Sequence, residues 1–344
     1  MMKKEKMDSK SYMSRREFLQ YAGVSFAAAS VFARPESSIA ASAKVPVIDT
    51  HTHFYDPTRP QGVPWPPMID PLYKPHLPEH FRTLTEKHGV IGTVVVEASG
   101  WIQDNQWILD LAKENPVIVG FIGNLELGKP EFAGHLERFS TNPIFRGLRL
   151  NGLVLTRNLG DRAFKDDLRR LSERQLTLDL VGDTQMLPAI GRLAELAPDL
   201  RIVIDHLPFR ELDGDVTEAR RALTRIAGLP NVYAKISDVV RRVDGRIVED
   251  AEFYRPGLDM LWELFGPDRA MFGSNWPVSN RVAPYAGVYK VVAEYFSTKE
   301  RSAAEKFFWK NSQAAYQWKP RVPFEPSSPA GAERNSSTRS EPAT

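Results

Sequence analysis

With 344 residues and 42% hydrophobic content, the chain is long enough to bury one large core or two small ones. It has no cysteine, which excludes disulfides, thiolate nucleophiles and thiolate metal ligands. The formal charge of +2 is unevenly spread: residues 1–43 hold seven Lys/Arg against four acids, so the remainder stands at −1 and presents no basic excess for nucleic acid.

The chain opens on a basic stretch followed by Ser14-Arg15-Arg16-Glu17-Phe18-Leu19, a weakly apolar run from Tyr21 to Ala33, and the small residues Ala41-Ser42-Ala43. This is the layout of an export leader with an A-x-A cleavage site. The pattern S-R-R-x-F-L resembles the twin-arginine (Tat) signal. Residues 1–43 are therefore expected to engage the Tat export machinery and to deliver a periplasmic or secreted protein. The apolar run is too short and too rich in Ala, Gly and Ser to serve as a bilayer span.

From residue 44 onward, short apolar runs alternate with amphipathic ones. Strands are expected at 45–51, 90–97, 117–123, 144–150, 176–181, 201–206, 231–237 and 270–274. Their near-continuous apolar character suits parallel strands covered on both faces. Helical spacing marks 104–115, 163–175, 184–197, 216–228, 256–265, 284–297 and 298–315 between and after them. Eight strands alternating with helices imply a single-domain (β/α)8 TIM barrel over 44–318. The competing doubly wound sheet lacks support, because neither a G-x-G-x-x-G nor a P-loop follows any strand. A Pro-rich stretch from Asp56 to His80 is expected to lie over the active face as an irregular flap, and 319–344 reads as a disordered tail.

Barrel enzymes place their working groups at the C-terminal ends of strands. Strand 1 ends in Asp49-Thr50-His51-Thr52-His53, and residues two apart on a strand share a side, so both imidazoles face one way. The later strand ends supply Glu97, then Arg146 and Arg149, Asp179, Asp205 and His206, Lys235 and Ser237, and finally Asn275 and Trp276. A guanidinium at a strand end can hold a carboxylate in bidentate fashion, which suits Arg149 to substrate; Arg146 is expected to close a salt bridge instead. Lys235 is expected to close an internal ion pair. Trp65, Trp101 and Trp276 have apolar bodies suited to the core, but Trp101 and Trp276 also follow strand ends and could wall a ring-shaped substrate.

The segments DTHTHFYD, FRGLRL, IDHLPF, YAKIS and MFGSNWPVS, in this order, resemble the amidohydrolase-related family. The likeness spans about 45–318 and points to the branch of 2-pyrone-4,6-dicarboxylate lactonase and sugar-lactone hydrolases. It implies that His51, His53 and His206 form the site, either binding a divalent metal such as Zn or Mn or polarising a carbonyl directly. Three neutral imidazoles with an open position suit zinc, and the same groups can act in the manner of an oxyanion hole.

The chain departs from that pattern at strand 8, where Asn275 stands in place of Asp. An amide cannot act as a general base and is a poorer metal ligand than a carboxylate. Glu97 is the candidate compensating acid, with Asp179 and Asp205 as others. The expected reaction is opening of a lactone by water, acting on a small-molecule substrate. Two alternatives stay open: a metal-dependent decarboxylase of the same superfamily, and an exported barrel that binds without catalysis.

Overall fold

The computed structural model describes residues 44–206 and 216–323; the expected leader, the segment 207–215 and most of the expected tail lie outside the described residues. Eight parallel strands form one sheet in sequence order: β1 (Val47–Thr52), β2 (Val90–Val96), β3 (Ile118–Gly123), β4 (Phe145–Asn151), β5 (Thr177–Val181), β6 (Arg201–Ile204), β7 (Val232–Ile236) and the last strand, Ala270–Phe272. A short antiparallel hairpin, β8 (Arg241–Val243) with β9 (Arg246–Val248), makes the last barrel strand β10. The sequence reading missed this hairpin because its polar Arg-rich strands carry no apolar run.

The sheet closes on itself through side chains more than through a ladder. Asp49 Oδ1 accepts from the backbone N–H of Ser274 at 2.9 Å and of His51 at 3.1 Å. The Thr50 hydroxyl donates to the Phe272 carbonyl, and the His53 N–H donates to the Trp276 carbonyl at 2.8 Å. Closure therefore depends on the same D-T-H-T-H segment that carries the imidazoles. The geometry is that of a (β/α)8 barrel, as expected.

Helices at Ile102–Glu114, Arg162–Glu173, Leu187–Leu196, Val216–Ala227 and Tyr285–Ser297 follow the expected amphipathic runs within a few residues. Their apolar faces meet the outer faces of the strands in one large core. Three further short helices are present, Pro78–Thr85, Phe132–Ser140 and Gly152–Asn158. The helix expected at 256–265 begins at Ala251, where Asp250 accepts from the Glu252 N–H at 3.0 Å, and Pro256 is carried inside it. The capping aspartate sets the start of this helix, ahead of the expected one.

The expected continuous helix 298–315 is broken into Arg301–Glu305, a π turn at Lys306–Lys310, and Asn311–Tyr316. This closing segment covers the N-terminal end of the barrel. The Ala315 carbonyl accepts from Thr177 Oγ1 at 2.8 Å and from Arg201 Nε at 2.7 Å, both at strand starts. Beyond it, Arg321 donates to the carbonyls of Ala112, Asn115 and Ile118, so the first described residues of the expected tail are pinned to the barrel.

Candidate active site

The barrel floor beneath the histidines is ionic. Lys235, fully buried on β7, lies 2.8 Å from Asp179 Oδ2 and 2.9 Å from Asp205 Oδ1. Tyr316, reaching in from the closing segment, donates its hydroxyl to the same Asp179 oxygen at 2.9 Å. Burial alone would lower the Lys235 pKa, but the two carboxylates outweigh it and raise it, so the ammonium stays charged. Burial pushes Asp179 up to about 7 against the pull of Lys235. Burial also works to raise Asp205, yet Lys235, Arg149 and His206 together hold it below the ordinary carboxylate value. The internal ion pair expected of Lys235 is thus present, and it is shared between two acids.

Above this floor stand the imidazoles. His51 Nδ1 lies 3.4 Å from Asp205 and 3.3 Å from the Lys235 ammonium. The rings of His51 and His206 are 4.2 Å apart, and those of His51 and His53 4.9 Å. Gly273 makes this crowding possible: a Cβ there would lie 2.8 Å from His51 Cβ. His206 Nδ1 meets Ser237 Oγ at 2.8 Å, leaving its Nε2 side for other partners.

His53 is oriented by the neighbouring strand. A carbonyl only accepts, so the 3.0 Å contact with Val96 O places a proton on His53 Nδ1. Burial first, and then the Arg149 charge, push the His53 pKa down to about 4, so the ring is neutral at neutral pH. Its Nε2 faces Asn275 Oδ1 at 3.3 Å.

Of the three histidines expected to share a metal, the structure gathers His51 and His206 with Asp205: one ligand atom from each lies within 4.8 Å of the others. His53 stands beside this trio and faces Asn275. Two imidazoles and a carboxylate form a donor set suited to a divalent ion. Asp205 also carries Lys235 and Arg149, so an ion there would share it with two cations.

Arg149 lies 3.4 Å from Asp205 Oδ2 and 3.6 Å from Glu97 Oε1. Burial raises the Glu97 pKa and Arg149 opposes the rise. Glu97 therefore stands beside Arg149 and, with it, lines a cavity of about 790 Å³ that also takes in Asn124, Glu126, Lys129 and Asp161. Arg146, given a salt bridge from sequence, instead donates to the carbonyls of Phe145 and Gln317.

The tryptophans are placed differently from expectation. Trp276 is 1% exposed and packs against Phe54, Phe81 and His76, so it belongs to the core rather than to the site wall. Trp101 is 38% exposed at the start of the helix after β2. Trp65, from the Pro-rich flap, is the one beside the site, its ring 6.3 Å from that of His53. The flap is tied down by the Tyr55–His76 backbone bonds and by Arg281, which pairs with Asp70 and lies over the Trp65 ring.

Three site residues hold left-handed backbone: His206 (φ 59°), Asp238 (φ 58°) and Asn275 (φ 59°). Non-glycine residues adopt this region at a cost, and strain of this kind concentrates where side chains must be aimed. Asp238 and Tyr316 are site residues that the sequence reading missed; for Asp238 a local signal existed. It directly follows the strand-7 motif YAKIS and Ser237, and that position was its signal.

Among known proteins, the family model described as Amidohydrolase matches residues 48–318. An L-fucono-1,5-lactonase of Burkholderia ambifaria is 29% identical over 70% of this chain and 83% of its own length. An L-fucono-1,5-lactonase of Burkholderia multivorans is 27% identical over 78% of this chain and 94% of its own. A crystal structure of a Burkholderia multivorans amidohydrolase with bound zinc superposes with a TM-score of 0.72 at 24% identity, covering 80% of this chain and all of that one; it shares the fold. The family match runs through every barrel strand and takes in His51, His53, His206 and Asn275, and the chain belongs to the amidohydrolase family.

Proposed function

We propose that this enzyme opens a hydroxylated lactone, of the sugar-lactone kind, by water attack on the ring carbonyl. The observation that carries this reading is the cluster of His51, His53 and His206 over the buried Lys235–Asp205 pair, with Arg149, which reaches Asp205, also lining a polar cavity. The curated lactonase relatives support it. The cavity wall favours a neutral polyol over a polyanion: three acids (Glu97, Glu126, Asp161) stand against two cations (Lys129, Arg149). Arg149, already beside Glu97 and Asp205, then serves as a hydrogen-bond donor to substrate oxygens more than as the anchor of a free carboxylate.

In the reaction, neutral His53 takes a proton from the attacking water at Nε2, where Asn275 Oδ1 stands ready to accept it in a hydrogen bond. The carbon–oxygen bond to water forms, the ring carbon–oxygen bond breaks, and the proton passes to the leaving alkoxide to give a hydroxy acid. His51, Asp205 and His206 would hold a divalent ion, which when bound supplies Lewis-acid polarisation of the carbonyl. The identity of that ion, zinc or manganese, is part of the proposal. Glu97 is engaged by Arg149 at 3.6 Å, and the base role falls to His53. The twin-arginine pattern at Arg15-Arg16 supports export, with the substrate met outside the cytoplasm.

The test is a panel of sugar lactones and 2-pyrone-4,6-dicarboxylate, followed by proton release, with elemental analysis of the purified protein. Turnover of hydroxylated lactones, abolished in His53→Ala and with KM raised about tenfold in Arg149→Gln, supports the reading. Carbon-dioxide release from carboxylated substrates without lactone opening would overturn it in favour of a decarboxylase.

A further inference from the structure

We propose that Asp238 is a positioning residue: it fixes the Asn275 amide so that its carbonyl oxygen, and not its NH2, faces His53. This inference rests on the hydrolytic reading of the site given above. Asn275 follows β10 and Asp238 follows β7, neighbouring strands of the barrel, and both hold left-handed backbone at φ 59° and 58°. Asn275 Nδ2 donates to Asp238 Oδ1 at 3.2 Å while its Oδ1 stands 3.3 Å from His53 Nε2. Two strained residues thus aim one amide between a carboxylate and an imidazole.

A carboxamide has two faces of nearly equal shape and opposite hydrogen-bonding sense. Left to itself, the Asn275 amide could present either face to His53. An ionised carboxylate accepts only, so Asp238 can satisfy only the NH2 face and forces the oxygen toward the reacting centre. The other acids near the site are held by different groups: Asp205 by Lys235 and Arg149, Asp179 by Lys235 and Tyr316, Glu97 by Arg149. Asp238 has further interactions of its own, and the proposed role needs only the 3.2 Å bond.

The dependence has a definite epistatic sign. Asp238→Ala releases the amide and is expected to lower kcat about tenfold with KM within about twofold. Asn275→Asp alone sets two carboxylates against each other and is expected to be at least as damaging. The exchange Asp238→Asn with Asn275→Asp restores a donor–acceptor pair with an acceptor toward His53, and kcat is expected to return to within about threefold of wild type.

The experiment is steady-state kinetics on these three variants, paired with the side-chain amide NMR resonances of Asn275, assigned by their loss in Asn275→Asp. A kcat unaffected in Asp238→Ala, or an exchange variant no better than Asn275→Asp, overturns the proposal. Should the wild type open no lactone, the proposed function fails on its own. The amide resonances then decide this inference, a shift in Asp238→Ala supporting it and unmoved resonances refuting it.

Discussion

Asp49 closes the barrel, and replacing it separates two contributions to stability. In Asp49→Ala the buried N–H groups of His51 and Ser274 lose their acceptor. At about 1–3 kcal/mol for each orphaned donor, the cost is about 2–6 kcal/mol. Asp49→Asn keeps an acceptor oxygen in place. Burial pushes the wild-type Asp49 pKa up to about 6 from 3.8, with bonds from Ser274 and His51 opposing. A raised folded-state pKa contributes stability that is present below the unfolded value and lost as pH rises to the folded one. The wild type therefore loses about 3 kcal/mol from this group between about pH 4 and pH 6, from 2.2 units at 1.36 kcal/mol each. Asparagine mimics the protonated acid, so Asp49→Asn is expected to match wild type near pH 4 and to exceed it by up to about 3 kcal/mol at neutral pH. Urea unfolding followed by tryptophan fluorescence across that range, with chelator present, measures both. An Asp49→Ala loss below about 0.5 kcal/mol, or a pH-independent difference for Asp49→Asn, would refute the reasoning.

Two further substitutions probe the site's construction. Gly273→Ala sets a methyl 2.8 Å from His51 Cβ and 3.3 Å from Lys235 Cγ; kcat/KM is expected to fall at least about tenfold through displacement of His51, and a crystal structure with His51 unmoved would contradict this. Lys235→Met leaves Asp179 and Asp205 buried without their shared ammonium, at a cost of about 3–5 kcal/mol read from chemical denaturation. A loss under about 1 kcal/mol would show that the floor is not held by charge.

The alternation of apolar runs with amphipathic ones determined the barrel, because strands buried on both faces and helices buried on one leave distinct periodicities in the chain. The D-T-H-T-H segment, Asp205-His206 and Ser274-Asn275-Trp276 were legible for a similar reason: barrel chemistry sits at strand ends, and strand ends can be located from the runs. The sequence also marked Lys235 as a buried ion-pair partner, since an isolated lysine in an apolar strand needs one. Only the tertiary structure decided which groups meet. It put His51 against Asp205 and His206, turned His53 toward Asn275, and brought Asp238 to the far side of that amide, across pairs separated by 37 to 222 positions in the chain. It also exchanged the tryptophans, sinking Trp276 into the core and laying Trp65 of the flap beside His53. Such choices depend on side-chain packing and left-handed turns at strand ends, and these are properties of closure, which no local window of sequence contains.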